Sequence, residues 1–167
     1  MNGSFIHMLH VLAFGLVVAT FVPSFVLDRR LRAEPDWGKK LQIGGLMRVF
    51  SAFGPWNVVL LLLTGIGNVY NRFIGIPYPW YEETWLVIKI CLFLIVVFNA
   101  LVIAKKLAMK RAGVIKALAE KNAPADAEKI YNDLNSKIQV FFAVQGVLLL
   151  SILYLSVFGP GKHPGVF

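Results

Sequence analysis

The sequence predicts an all-α protein, a four-helix transmembrane bundle, and three observations lead to this fold class. First, 57% of the 167 residues are hydrophobic, whereas a soluble domain has about 45–50%, and the mean hydropathy is +0.67. Second, the apolar residues form four blocks, each about as long as the roughly 20 helical residues that cross a bilayer core. Third, the sequence lacks the segments of about ten residues, alternately apolar and polar, that are typical of membrane β-barrels. We therefore expect one integral membrane domain over residues 1–167.

The four predicted spans cover residues 5–27, 47–70, 84–104 and 138–158. The first block differs from a secretory signal, because its first basic residue, Arg29, follows the apolar run instead of preceding it. Gly54 and Pro55 predict a bend in the second span. Residues 105–137 predict a cytoplasmic helical arm with a break at Pro124. This arm is too short to fold as a separate catalytic domain, so we expect any chemistry to lie between the spans.

Basic residues are distributed unequally among the connecting segments. Segment 28–40 holds five Lys and Arg residues, and segment 105–137 holds eight, whereas the opposite side has Arg72 and Lys162. By the positive-inside rule, the two basic segments are cytoplasmic and both termini face the periplasm or outside. The expected location is the bacterial inner membrane, as a multi-pass protein. The net charge of +8 thus indicates contact with the lipid bilayer and its anionic lipids, and it does not indicate nucleic-acid binding.

Several polar residues are predicted to lie at one depth near the outer ends of the helices. His10 and Lys89 each lie five residues inside a span, or roughly 7–8 Å at 1.5 Å per residue. His7, Asn68 and Tyr154 fall close to the same level. An ammonium in hydrocarbon costs about 2.5–3.5 kcal/mol. Lys89 therefore either extends outward to the surface or pairs with an anionic group of a bound molecule.

His10 is the candidate metal ligand, because imidazole is a usual protein ligand of haem iron. A haem b at this level would be bound by His10, with Lys89, Asn68 and Tyr154 as further cofactor-binding residues and Lys89 next to a propionate. The alternative is a buried neutral histidine bonded to a neighbouring carbonyl. His7 lies three residues from His10 on the same helix, so the two cannot ligate opposite faces of one haem. His163 is in the C-terminal tail.

Two other functions remain open at this stage. The motif "HMLH" brings His7, Met8 and His10 together, and thioether and imidazole ligands suit Cu(I), so an outer-face copper-handling protein is one alternative. The other is an accessory subunit of a larger respiratory or photosynthetic membrane complex, or a homo-oligomer, because motifs for nucleophilic catalysis, phosphate binding and dinucleotide binding are missing. Cys91, the single cysteine, cannot form a metal site alone.

Four segments resemble, distantly, the four-helix membrane protoporphyrinogen oxidase family (HemJ-type) and the related copper-resistance D-like membrane proteins. They are "HMLHVLAFG", "FVPSFVLDRRL", "MRVFSAFGPWNVVLLLLTGIG" and "WLVIK". The resemblance implies a haem-ligating histidine at His10, a functionally required lysine at Lys89 and a functional basic residue at Arg48. Lys89 and Arg48 are thereby the candidate catalytic residues of a porphyrinogen-oxidising enzyme. The tryptophan of the family's first helix is replaced here by "GLVVATF".

Overall fold

The computed structural model describes residues 3–74 and 79–159, which are helical apart from short connections. Six α-helices follow one another along the chain, and the described residues include no strand. They are α1 (Gly3–Ala33), α2 (Trp37–Ala52), α3 (Gly54–Phe73), α4 (Thr84–Phe98), α5 (Lys105–Ala119) and α6 (Ala127–Phe158). A 3-10 turn, Trp80–Glu82, precedes α4, and a π-helical turn, Asn99–Ala104, joins α4 to α5.

Four helical stretches are long and apolar enough to cross a membrane. They are Ser4–Ala33, Trp37–Phe73, Thr84–Ala119 and Ala127–Phe158. The all-α class and the number of candidate spans are thus confirmed. Each stretch is longer than the apolar block predicted from hydropathy, because the helices continue into the basic segments.

The second stretch differs from its prediction at both its start and its middle. α2 begins at Trp37 rather than near residue 47, because the Asp36 side chain caps it by accepting a hydrogen bond from the Lys39 amide at 2.7 Å. The bend expected within one helix is a break at Phe53 between two helices. Pro55 lies in the first turn of α3, where its missing N–H leaves no helical bond unmade.

The basic ends of the helices form a packed unit rather than a free arm. α5 packs against α2 and α6, and Leu31, Ile115 and Tyr131 form a buried cluster between them. Lys40 is 5% exposed in this cluster. Its Nζ donates to the Leu31 carbonyl at 3.2 Å and to the Tyr131 hydroxyl at 3.1 Å, and lies 4.8 Å from the centre of the Trp37 ring. These contacts compensate the burial of its charge.

A second buried polar group, here called the inner network, consists of Asp28, Arg111 and Asn135. Asp28 is fully buried on α1, and its carboxylate pairs with the Arg111 guanidinium of α5. The same guanidinium donates to the Asn135 side-chain oxygen of α6 at 3.2 Å and lies 3.9 Å from the Met47 sulfur of α2. One arginine therefore connects four helices at the basic end of the bundle.

Small residues bring α1 and α3 close together at the opposite end. Ala13 is fully buried on α1. A Cβ atom at Gly67 would lie 3.1 Å from the Ile6 side chain, so the glycine allows a closer approach of the two helices than a larger residue would. Close backbone approach at small residues is typical of membrane helix pairs. This contact places the N-terminal half of α1, and His10 with it, directly against α3.

Candidate functional site

His10 is held against α3 by its Nδ1 atom. This nitrogen lies 3.0 Å from the Thr64 hydroxyl oxygen, and the His10 ring also interacts with the Leu61 backbone carbonyl. The Thr64 hydroxyl donates its single proton to the Leu60 carbonyl at 2.8 Å, so towards His10 its oxygen can only accept a hydrogen bond. The Leu61 carbonyl can also only accept. We therefore assign the imidazole proton to Nδ1. The Nε2 atom then carries the lone pair that a metal or a proton donor would use.

Gly65 allows the imidazole to lie close to the α3 backbone. A Cβ atom at this position would be 3.3 Å from His10 Cε1, closer than most side-chain contacts. A side chain at position 65 would therefore require the ring to shift by a few tenths of an ångström. The glycine next to Thr64 thus helps to set the position of His10, whereas Thr64 sets its tautomer.

Lys89 of α4 lies near this imidazole without a partner of its own. It is half-buried, and it is close enough to His10 for the two groups to interact electrostatically. Within residues 3–74 and 79–159 it makes no hydrogen bond and no ion pair. The nearest acidic residue along α4, Glu83, is buried and accepts a hydrogen bond from the Trp85 indole at 2.8 Å. Among the described residues Lys89 therefore has no acidic partner, which leaves its side chain available to an anionic ligand.

α3 presents a line of side-chain amides on the face that carries Thr64. Asn57, Thr64 and Asn71 are seven residues apart, which places them on one side of a helix. Asn57 donates to the Leu16 carbonyl of α1 at 3.2 Å. The buried Asn71 Nδ2 atom has no acceptor among the residues that the structure describes. Asn68, half-buried beside it, makes no hydrogen bond there either. The sequence prediction did not include Asn71, which the seven-residue spacing could have indicated.

Two of the predicted site residues have exposed side chains. Tyr154 on α6 is 62% exposed, and its ring contacts Phe158. Arg48 is exposed on α2. It precedes Thr64 by sixteen residues and lies on the other side of the break at Phe53. The structure therefore joins His10 to Thr64, with Lys89 close enough to His10 to interact electrostatically, and it shows no contact of Tyr154 or Arg48 with these residues.

The "HMLH" side chains point in different directions around α1. Met8 is 49% exposed and lies two residues from His10, about 200° around a helix of 3.6 residues per turn. His7 is exposed as well. In the described parts of the chain, no three His, Cys, Asp or Glu residues come together as a metal site, and Cys91 is exposed. His163 lies outside the described residues.

Comparison of the chain with models of protein families, with curated proteins and with solved structures finds no match in any of the three. The function of the site is therefore inferred from its own residues.

Proposed function

We propose that the outer end of the bundle binds haem b through His10, in a membrane protein of the porphyrinogen-oxidising or electron-transferring kind. The observation that supports this best is the hydrogen bond between His10 Nδ1 and Thr64. Histidine ligands of metals commonly donate one ring N–H to a fixed acceptor and bind the metal with the other nitrogen. Thr64 gives His10 this arrangement in a membrane helix.

Lys89 fits the same ligand. Charged residues within membrane spans usually pair with one another or line a ligand pathway, and Lys89 has no protein partner in the described ranges. A porphyrin is mostly apolar and carries two propionates, so it matches a site with one imidazole, one ammonium and apolar surroundings. The Asn71 amide supplies a further donor for a carboxylate.

Each residue then has a defined role. His10 ligates the iron, Thr64 orients His10, and Lys89 pairs with a propionate or with the carboxylate of a substrate. When bound, haem supplies one-electron redox chemistry. Arg48 is exposed on α2 and is given no role in this site, so the proposed catalytic residue is Lys89.

Copper handling at the outer face is the weaker alternative. It requires Met8 and His10 to bind one ion, although they lie on opposite sides of α1 and the Nδ1 atom of His10 is engaged by Thr64. Assembly into a larger membrane complex or a homo-oligomer is compatible with the haem proposal and remains a prediction.

We further propose that both termini face the periplasm of a bacterial inner membrane. The basic ends of all four helical stretches lie together, so the positive-inside rule assigns that end to the cytoplasm. In a Cys91→Ser background, we expect Asn2→Cys to react with an impermeant maleimide added outside intact cells. Asn122→Cys should react only after the membrane is opened. Labelling of Asn122→Cys from outside would reverse the topology.

Replacing Lys89 with leucine is expected to weaken haem binding by about tenfold to a hundredfold, because a charge-assisted hydrogen bond contributes about 1.5–3 kcal/mol. The helices should still insert, since leucine is more apolar than lysine. Lys89→Arg should restore binding only in part, because a planar guanidinium replaces a compact ammonium. Haem titration of the purified apoprotein, followed by absorbance, measures the effect.

Lys106→Leu is the matched control, since it removes one exposed charge from the basic end of the same helical stretch. It should leave haem affinity unchanged. If Lys89→Leu instead gives unchanged affinity and turnover together with a higher melting temperature, Lys89 only extends to the surface and has no ligand.

A further inference from the structure

An open groove runs along the membrane face of the bundle between α1 and α6. Its volume is about 620 Å³. Arg29, Arg32 and Gln139 line one end, and Leu150 lines the other. The polar and apolar parts of its wall are thus separated along its length, with the polar end at the basic side of the protein.

The length of the groove matches one leaflet of a bilayer. From Gln139 to Leu150 is eleven residues of α6, or roughly 16 Å, and half of the hydrocarbon core is about 15 Å. The polar end coincides with the start of the fourth predicted span at residue 138. An amphiphile in this groove would therefore place its polar group at the membrane surface and its chain in the hydrocarbon.

Aromatic side chains form a fixed apolar wall. The Phe142 ring packs against Phe21, with 5.8 Å between centroids, and against Phe25, with 5.6 Å. Gly146 faces Phe21 across the groove, and a Cβ there would meet the Phe21 ring at 3.9 Å. The absence of a side chain at position 146 leaves the space in which an acyl chain can lie.

The polar end can bind an anion. Arg29 is exposed and makes no ion pair with any residue in the described ranges. Arg32 donates its Nε–H to Asp28 at 2.9 Å, which holds the guanidinium in place and leaves its two terminal nitrogens for another acceptor. No acidic residue is among those lining the groove. Two arginines on one turn of helix suit a phosphate, which guanidinium groups bind with directed hydrogen bonds.

We propose that this groove is a binding site for an anionic phospholipid, with the phosphate at Arg29 and Arg32 and an acyl chain along the Phe21–Phe25 wall over Gly146. A second groove, between α6 and the α4–α5 stretch, provides an internal comparison. Its cation, Lys137, is already paired with Asp133 at 2.7 Å. Charge complementarity therefore distinguishes the α1–α6 groove as the one selective for an anionic lipid.

Native mass spectrometry of the detergent-purified protein tests the charge requirement, with phosphatidylglycerol and phosphatidylcholine of identical chains as probes. Phosphatidylglycerol should bind more tightly. Arg29→Gln should weaken its binding about fivefold, because a basic residue at a membrane surface contributes about 1 kcal/mol to anionic lipid binding. Arg30→Gln is the matched control, since Arg30 is the exposed neighbour outside the groove, and it should leave binding unchanged. An equal loss of phosphatidylglycerol binding in both variants would indicate diffuse electrostatic attraction to the basic surface and would contradict a specific site in the groove.

Gly146→Leu tests the apolar requirement. It should reduce phosphatidylglycerol binding at least as strongly as Arg29→Gln, because the added side chain fills the groove. Gly15→Leu, at a glycine with open space around it, should have no effect. Soluble glycerol phosphate should not displace the lipid at equal concentration. Displacement by glycerol phosphate, or unchanged binding in Gly146→Leu, would show a simple anion site and would contradict a lipid groove.

Discussion

Arg111→Met is expected to lower the free energy of unfolding by about 3–5 kcal/mol, because it removes the buried counter-charge of the Asp28 carboxylate and leaves only the partly exposed Arg32 as its partner. Asp28 is fully buried and accepts from Arg111 on α5 as well as from Arg32 on α1. Arg111 also donates to Asn135, so its loss separates three helices at once. Equilibrium unfolding in mixed detergent, monitored by circular dichroism, measures the change.

Two further variants distinguish the effect of losing the buried ion pair from the effect of losing a positive charge on α5. Lys110→Met removes the same charge from an exposed neighbour on α5 and should change stability by less than about 1 kcal/mol. The double variant Asp28→Asn with Arg111→Met has no unpaired buried charge and should recover most of the lost stability. A loss below about 1 kcal/mol in Arg111→Met, equal to that of Lys110→Met, would mean that the inner network does not hold the bundle together.

His10→Ala is expected to abolish haem binding, because the Thr64 hydrogen bond at Nδ1 leaves Nε2 of His10 as the nitrogen that would ligate the iron. His7→Ala should keep most of the haem, since His7 is exposed and has no hydrogen-bond partner in the described residues. The measurement is the ratio of Soret to protein absorbance after purification from haem-replete cells.

Thr64→Val is the conservative variant that tests orientation rather than ligation. It removes the acceptor at His10 Nδ1 and keeps the shape of the side chain. Haem affinity should fall about tenfold to a hundredfold, as it does when outer partners of metal ligands are removed. Circular dichroism should show that all these variants remain helical. Pigment that survives His10→Ala and disappears in His7→Ala would make His7 the haem ligand and move the site to the surface.

Hydropathy predicted the membrane helices because each needs only a long apolar run. It could not predict that α2 starts at Trp37, since Lys39 and Lys40 lower the local hydropathy. The Asp36 cap and the burial of Lys40 under aromatic rings stabilise this start instead. Hydropathy could not predict the inner network either, because its members are polar and lie far apart in sequence. Only the packing of the helices brings them together.

Depth in the membrane could be counted from sequence, but rotation about a helix axis could not. Counting from the span ends predicted one level for His10 and Lys89, and the two groups are close enough to interact electrostatically. Tyr154 was predicted at that level too, yet its side chain is exposed because α6 packs through Leu149 and Ile152. Arg48 came from a resemblance in sequence, which carries no information on its distance from His10.

The absorption spectrum of the purified protein, recorded oxidised and then reduced with dithionite, tests the haem proposal most directly. We expect a Soret band in protein from haem-replete cells, and we expect it to shift on reduction as the iron changes oxidation state. A helical, detergent-stable protein that is colourless, and that takes up no haem when titrated with it, would contradict the assignment of His10 as a haem ligand.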